Sequence, residues 1–193
     1  MLERISEALM LTPENVAPSR EDLRVVGAFN PAAVDTSEGV MLGVRIAEEP
    51  AEERPGYVGL PRWEDGAGIV IDWLPKEKLD LPDPRVAVER GAWRLRLRFL
   101  SHIRLYRSPD GRSLDKQEVC RFYPSGIFES YGVEDARFTT IQDRTYMTYV
   151  GVSPHGVAAL LASSCDFRHF ERHGVILPPE NKDVVLFPER ING

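Results

Sequence analysis

Hydrophobic residues in this chain occur in short runs from about Val25 onward, and each run is bounded by Gly, Pro, Asp or Ser. Runs of this kind predict antiparallel β-strands. In residues 93–99 arginines alternate with leucines and a phenylalanine, which places the two sets on opposite faces of one strand. Residues 76–85 are rich in proline and acidic side chains and predict a loop. Further strands are predicted at residues 25–29, 40–46, 57–60 and 69–73.

The N-terminal pattern is different. Residues 1–12 are amphipathic and acidic, and Thr12-Pro13 ends the run, so a short helix is predicted there. No long helix is predicted after residue 20. The predicted domains are therefore an N-terminal helical extension at residues 1–22 and an all-β domain at residues 23–193.

An internal repeat refines the all-β prediction. The segment from Ser108 to Leu114 matches the segment from Ser164 to Phe170, and each stands between two apolar strands. All-β repeats of roughly 40–55 residues with four short strands are typical of propeller blades; a β-sandwich with one chance match is the alternative. Residues 138–177 complete one predicted blade, and residues 184–191 begin the next. A propeller needs several blades to close, so the chain is predicted to be the N-terminal part of a longer protein.

Composition narrows the class of protein. With 193 residues, 42% of them hydrophobic and 28% charged, the chain can form an ordinary globular domain. A net charge of −6 disfavours nucleic acid or an anionic membrane as partner. The acidic N-terminus lacks a signal-peptide pattern, so a cytoplasmic location is expected. The cysteines and histidines have no metal-ligand spacing, and no metal site is predicted.

Two stretches carry candidate chemistry. Glu134 and Asp135 precede an apolar run that reads as an innermost blade strand, and Lys182 and Asp183 precede a second such run. Because neighbouring strand residues face opposite ways, only one of Glu134 and Asp135 is expected to point into the central channel. The alternative is that both are turn carboxylates bound by backbone N–H groups.

At these residues the chain resembles glycoside hydrolase family 130, the β-mannoside phosphorylases and related mannosidases with a five-bladed propeller. The resemblance runs in the family's order from about residue 12 to the end, and implies that the chain supplies only the first half or so of that propeller. The matching segments are residues 25–33, 42–48, 101–104, 107–111, 132–137 and 178–193.

The resemblance implies a reaction and a set of roles. Asp135 is implied to be the general acid, which passes its proton to the glycosidic oxygen through a sugar hydroxyl. Phosphate then attacks from the opposite face and inverts a β-1,4-mannoside, either a mannooligosaccharide or mannosyl-N-acetylglucosamine, to α-mannose 1-phosphate. Asn30, Arg45 and Arg104 match substrate-binding positions of the family.

Lys182 and Asp183 match positions that bind phosphate, where some members have Arg-Asn. The negative charge of Asp183 beside an anion site leaves an inverting β-mannosidase open as an alternative. Ala136 also departs from the proline common in the family.

The expected partners are a β-mannoside oligosaccharide and phosphate, with phosphate as co-substrate and no metal or organic cofactor. A homo-oligomer is left open. A further alternative is a non-catalytic, truncated propeller fragment, which the end of the sequence at Gly193 favours. Because a partial propeller would expose sheet edges, the isolated chain is expected to be poorly behaved or oligomeric.

Overall fold

The computed structural model describes residues 7–189 and residue 191. Within these residues the fold is all-β, with 3-10 turns at Pro13–Asn15 and Lys76–Lys78. The strands are β1 (Leu23–Thr36), β2 (Gly39–Pro50), β3 (Tyr57–Glu64), β4 (Gly68–Pro75), β5 (Leu79–Asp83), β6 (Val86–Glu89), β7 (Arg94–Leu97), β8 (Leu100–Ser108), β9 (Cys120–Phe122), β10 (Gly132–Ile141), β11 (Arg144–Ser153), β12 (Gly156–Ser164) and β13 (Glu171–Leu177).

Eight of these strands form two antiparallel units of four. In the first unit the spatial order is β1-β2-β8-β9, and in the second it is β10-β11-β12-β13. The units meet where β10 and β8 run parallel and Gly132 pairs with Ser101. The two units are therefore joined in one sheet through this single residue pair.

The repeat predicted from the sequence is present in the structure. The Asp110 carboxylate accepts hydrogen bonds from the backbone N–H groups of Arg112 and Ser113, both at 2.8 Å, in the turn after β8. In the turn after β12, Asp166 accepts from the N–H groups of Arg168 and His169, also at 2.8 Å. The same carboxylate-capped turn thus links the last two strands of both units.

A second sheet pair is inserted between β2 and β8. It consists of the β3–β4 hairpin and the three-stranded β5–β6–β7 sheet. Buried and exposed side chains alternate in β7, as the sequence of residues 93–99 predicts. The buried side chain, however, is the arginine: Arg96 is 5% exposed, whereas Leu95 is 50% exposed. Arg96 is accommodated because its guanidinium donates to the Asp72 carboxylate at 2.8 Å and lies over the ring of Tyr131.

Both units contribute to one apolar core. Its largest cluster combines residues from β1, β2, β8 and β9 with residues from β10, β11 and β12, which fixes the junction between the units. The buried members are Ala32, Met41, Ile103, Leu105, Phe122, Val133, Ala136, Met147, Tyr149, Ala158, Leu160 and Ala162.

The predicted loop at residues 76–85 instead contains the 3-10 turn Lys76–Lys78 and strand β5. In addition, two predicted elements are not found. Residues 7–12 of the predicted helix have no regular secondary structure, and residues 1–6 lie outside the described residues. Of this segment, Leu11 packs against the buried Val16, Val44 and Ile46, whereas Leu9 is exposed. Residues 184–189 of the strand predicted at 184–191 form no strand, and residue 190 lies outside the described residues. Two carbonyls of this segment accept hydrogen bonds from threonine side chains, Val184 O from Thr148 Oγ1 at 2.5 Å and Leu186 O from Thr139 Oγ1 at 3.4 Å. Among the described residues, no helix is long and apolar enough to cross a membrane.

Candidate active site

The first strand of each unit is interrupted by the same backbone irregularity. In β1 the pairing register shifts between Phe29 and Ala32, and in β10 it shifts between Glu134 and Arg137. Inside each shift stands one residue with positive φ: Asn30 at 47° and Asp135 at 49°. Asn and Asp tolerate this left-handed conformation better than other non-glycine residues. The two bulges bring these side chains together, and Asn30 Nδ2 donates to Asp135 Oδ1 at 2.9 Å.

The bulge in β10 also turns Glu134 and Asp135 toward the same partner. Arg45 Nη2 donates to Glu134 Oε1 at 2.5 Å, and Arg45 Nη1 donates to Asp135 Oδ1 at 3.0 Å. The expectation that only one of the two carboxylates faces the site was therefore wrong. Strict alternation holds for regular strands, and an extra residue with left-handed backbone cancels it locally.

Arg45 is held on several sides. It lies on β2, its Nε donates to Ser101 Oγ at 3.0 Å, and its guanidinium lies over the rings of Phe29 and Phe99. The residue is only 8% exposed. A charged fork with three protein acceptors and two aromatic neighbours is fixed in orientation.

Glycine at position 132 permits this arrangement. Gly132 has φ of 128°, and a Cβ atom there would stand 2.8 Å from the backbone nitrogen of Ser101. A side chain would therefore separate β10 from β8 at the point where Glu134 and Ser101 are brought to Arg45.

The two neighbouring carboxyls differ in their affinity for a proton. Burial raises the pKa of Glu134 above its usual value, and the charge of Arg45 offsets only part of this rise. Burial also raises the pKa of Asp135, but the hydrogen bond from Asn30 and the charge and hydrogen bond of Arg45 outweigh it, so the net pKa is lowered. Environments that separate the pKa values of adjacent carboxyls are a common property of catalytic sites.

Lys182 and Asp183 lie at the exposed side of this cluster. Asp183 has a φ of 60°, and so repeats the left-handed Asn/Asp seen at positions 30 and 135. Lys182 Nζ is 3.7 Å from Asp183 Oδ2, and the positive charge of Lys182 lowers the pKa of Glu134. The lysine is therefore an exposed cation whose charge acts on Glu134.

The structure does not bring Arg104 to this cluster. Arg104 follows the buried Ile103 on β8, and Ile103 pairs with Arg45, so the Arg104 side chain is on the opposite face of the sheet. It is 1% exposed, donates to His102 Nε2 at 2.9 Å and to Ala17 O at 2.8 Å, and lies 3.4 Å from Glu48 Oε1. In this geometry its guanidinium has no access to a sugar beside Asp135. Several arginines stand close together in this stretch of sequence, and the pattern alone does not separate the two faces.

Residues that sequence reasoning did not assign to the site are Glu134, Ser101, Phe29 and Phe99. The correspondence between the two units is a signal for Phe29 and Glu134. Phe29 precedes Asn30 just as Glu134 precedes Asp135. Phe29 pairs with Arg45, and Glu134 pairs with Val150 at the matching point of the second strand of its own unit.

Arg137 donates to the Ala136 carbonyl at 2.8 Å and so braces the bulge. Within the described part of the chain, no group of three or more His, Cys, Asp or Glu residues could hold a metal ion.

Comparison with known proteins identifies the family. Residues 96–193, about half of the chain, match the profile of glycoside hydrolase family 130, which is described as beta-1,4-mannooligosaccharide phosphorylase. This chain belongs to glycoside hydrolase family 130. The matched region includes Asp135, Lys182 and Asp183, whereas Asn30 and Arg45 precede it.

Relatives within family 130 extend the match to the N-terminal half. A beta-1,2-mannobiose phosphorylase from Listeria innocua is 37% identical over 98% of this chain and 55% of its own length. A 1,2-beta-oligomannan phosphorylase from Thermoanaerobacter is 41% identical over 34% of this chain and 23% of its own length. The solved structure of the Listeria enzyme, in complex with beta-1,2-mannobiose, superimposes with a TM-score of 0.83 at 36% identity, covering 94% of this chain and 53% of that one. The chain thus spans about half the length of the Listeria enzyme.

Proposed function

We propose that the protein containing this chain is a β-mannoside phosphorylase that uses Asp135 as its general acid. The observation that carries the proposal is the convergence of Asn30, Arg45 and Asp135 at two matching bulges in a member of family 130. The two four-stranded units further support the proposal that they are blades of a five-bladed propeller, of which this chain supplies about half.

The proposed reaction needs one carboxylic acid and an anionic nucleophile. The Asp135 proton goes to the glycosidic oxygen by way of a sugar hydroxyl, the bond from that oxygen to the anomeric carbon breaks, and a phosphate oxygen forms the new bond from the opposite face. The products are α-mannose 1-phosphate and the acceptor sugar with its hydroxyl restored. Phosphate is already charged, so it requires cations to hold it rather than a base to deprotonate it. Lys182 is the candidate cation among the described residues.

The lowered pKa of Asp135 adds a requirement on substrate binding. A general acid must be protonated when the bond breaks, and hydrogen bonds from Asn30 and Arg45 favour the ionised form. Sugar hydroxyls compete for these same donors. We infer that a bound mannoside takes over part of the hydrogen bonding of Asn30 and Arg45, which raises the pKa of Asp135 in the complex.

Hydrolysis by an inverting β-mannosidase is the second candidate, and the negative charge of Asp183 beside Lys182 favours it. An inverting hydrolase needs a second carboxylate roughly 6.5–9.5 Å from the acid, where it activates water on the far side of the sugar. Glu134 shares one guanidinium with Asp135 and so lies beside the acid rather than across from it. This arrangement supports phosphorolysis over hydrolysis.

The proposal also concerns which glycosidic linkage the enzyme cleaves. The sequence resemblance and the family description both favour β-1,4-mannosides, whereas the Listeria relative, which matches 98% of the chain, is a beta-1,2-mannobiose phosphorylase. Because that match includes Asn30 and Arg45 as well as Asp135, we propose a β-1,2-mannoside as the preferred substrate, with the β-1,4-linked sugar as the alternative to be compared directly.

The experiment measures sugar phosphate and free mannose from β-1,2- and β-1,4-mannobiose, with and without phosphate, for the full-length gene product and its Asp135→Asn variant. α-Mannose 1-phosphate that requires both phosphate and Asp135 is the expected result, with faster release from the β-1,2-linked sugar. Free mannose formed equally without phosphate would establish the mannosidase. Absence of both products would contradict the proposal and favour a non-catalytic chain.

A further inference from the structure

The Glu134 carboxylate has no task in a mechanism with one acid and an anionic nucleophile, yet it makes a short contact in the site. Its side chain is only 15% exposed, and its Oε1 atom is 2.5 Å from Arg45 Nη2. A carboxylate that is largely removed from water loses much of its hydration, and this is tolerated only where a cation compensates. Here the compensating cation is the same one that binds Asp135.

The contacts of Arg45 divide its guanidinium between two acids. The Nη2 edge is occupied by Glu134, the Nη1 edge by Asp135, and Nε by Ser101. With Phe29 over its face, the guanidinium cannot rotate to present both edges to Asp135. Asp135 therefore receives a single hydrogen bond from Arg45 instead of the bidentate pair that an arginine forms with a lone carboxylate.

The remaining groups that face the two carboxylates are few. Asn30 on β1 donates to Asp135, and Arg137 adds positive charge near it. Ser101 on β8 and Lys182 beyond β13 act on Glu134. On β11 the residue opposite Glu134 is the uncharged Val150. The balance of charge at Asp135 thus depends chiefly on how Arg45 is shared.

We propose that Glu134 is a positioning residue for the general acid: it holds one edge of the Arg45 guanidinium, so that Asp135 receives only the other edge and keeps the ability to take up a proton. The inference rests on the proposed function of Asp135. The raised pKa of Glu134 and the lowered pKa of Asp135 agree with two unequal carboxylates sharing one cation.

The consequence concerns the pH dependence of the reaction. If Glu134 is replaced by glutamine, the amide still accepts a hydrogen bond but no longer draws on the charge of Arg45. The attraction between Arg45 and ionised Asp135 then strengthens, and the pKa of Asp135 falls further. The alkaline limb of kcat/KM, which reports deprotonation of the acid, is expected to move to lower pH by about one unit.

The test compares pH profiles of phosphorolysis for wild type, Glu134→Gln and Glu134→Asp in the full-length protein. Glu134→Asp keeps the charge with a shorter reach, so its alkaline limb is expected between the other two. Glu129→Gln is the matched control, because Glu129 is another buried glutamate on an arginine, 2.5 Å from Arg172, but in a separate cluster with Tyr149. That control is expected to lower thermal stability without moving the limb. An unmoved limb in folded Glu134→Gln, or a shift to higher pH, would overturn the proposal.

A second measurement keeps the inference separate from activity. Carboxyl-detected ¹³C NMR follows the titration of Asp135, which the Asp135→Asn difference spectrum assigns, in wild type and in the Glu134 variants. A lower midpoint for the Asp135 titration in Glu134→Gln supports the coupling between Glu134 and Asp135. If the glutamine variant does not fold, the same result is sought in Glu134→Asp. The coupling is supported even if no mannoside is cleaved, and in that case only the proposed function fails. An unchanged midpoint with full phosphorolysis would remove the role of Glu134 and leave the proposed function intact.

Discussion

Strands β2 and β8 carry two buried arginine clusters on opposite faces of the same sheet. Arg45 on one face binds Glu134 and Asp135, while Arg104 on the other contacts Glu48 and Glu118. Both clusters combine an arginine with two carboxylates, so residue type alone does not distinguish them. They differ in what closes them.

The Arg104–Glu48 pair of the second cluster is closed by the chain itself, at 1% and 0% side-chain exposure, whereas Glu118 at the edge of this cluster retains 27%. The N-terminal segment lies across it, with Ala17 O bound to Arg104 and the Ser19 N–H bound to Glu48 at 2.6 Å. The Arg45 cluster has no such cover among the described residues, and Asp135 retains 17% of its side-chain exposure. A buried ion pair that is fully enclosed can only stabilise or specify the fold, whereas the same group of charges at an open surface can bind a ligand and exchange a proton.

The largest effect expected is on the open cluster. Asp135→Asn keeps the shape of the side chain and removes its acid, so kcat for mannoside cleavage should fall by roughly 10²–10⁴-fold. Asparagine can still accept hydrogen bonds from Asn30 and Arg45, and Arg45 keeps Glu134 as its counter-ion, so only a small fall in melting temperature is expected. Kinetics and thermal melts of the same preparation check both parts, and an Asp135→Asn enzyme with wild-type turnover would refute this function for the open cluster.

For the Arg104 cluster we expect the opposite result, a large loss of stability with little effect on substrate binding. Arg104→Met leaves Glu48 buried beside a neutral residue, and breaking a buried pair from one side costs about 3–5 kcal/mol. The free energy of unfolding, measured by denaturant titration, should fall by that amount while the KM for mannoside at low temperature stays near the wild-type value. A KM raised tenfold in a folded Arg104→Met protein would restore the substrate-binding role that the sequence resemblance implied.

A glycine substitution tests the junction that assembles the open cluster. Gly132→Ala places a Cβ atom against the Ser101 backbone at a φ of 128°, and a strained residue of this kind costs about 1–3 kcal/mol. Activity should fall as well, because β10 moves away from Ser101 and Arg45. Gly126→Ala is the control: Gly126 has a φ of 75° with no atom near its Cβ position, so it should lose only stability. Equal effects of the two substitutions on activity would argue against this role of the junction.

The sequence predicts the part of this structure that repeats. Alternating and bounded apolar runs indicate the strands, and the Ser-x-Asp match at Asp110 and Asp166 identifies two equivalent turns. The resemblance to the family points to Asn30, Arg45 and Asp135, which the fold brings together. Glu134 was named beside Asp135 but not assigned to the site, because strict alternation places neighbouring residues on opposite faces and does not reveal a bulge.

The N-terminal helix was also predicted from a local sequence pattern alone. Among the described residues of that predicted helix, Leu9 is exposed, and Leu11 packs without regular structure on the Arg104 side of the sheet, against the buried cluster of Val16, Val44, Ile46 and Tyr106. Local periodicity does not reveal a partner so distant in sequence.

The smallest effect expected is a pH dependence of the closed cluster. His102 is fully buried beside Glu48, with its Nδ1 atom 3.8 Å from Glu48 Oε2, and neither of these two atoms has a hydrogen-bond partner among the residues that the structure describes. Burial, and then the charges of Arg104 and Arg121, hold the pKa of His102 well below its usual value, so the ring is neutral in the folded protein.

Because the unfolded chain takes up the His102 proton below about pH 6.5 and the folded protein does not, stability is complete above that pH. It should then fall by up to about 1.4 kcal/mol per unit as the pH decreases toward 5. In His102→Gln this part of the slope should vanish. Chemical denaturation of both proteins between pH 5 and 8 checks the difference. Parallel curves would show that His102 binds its proton equally in both states, and the Arg104 cluster would then be less closed than its burial indicates.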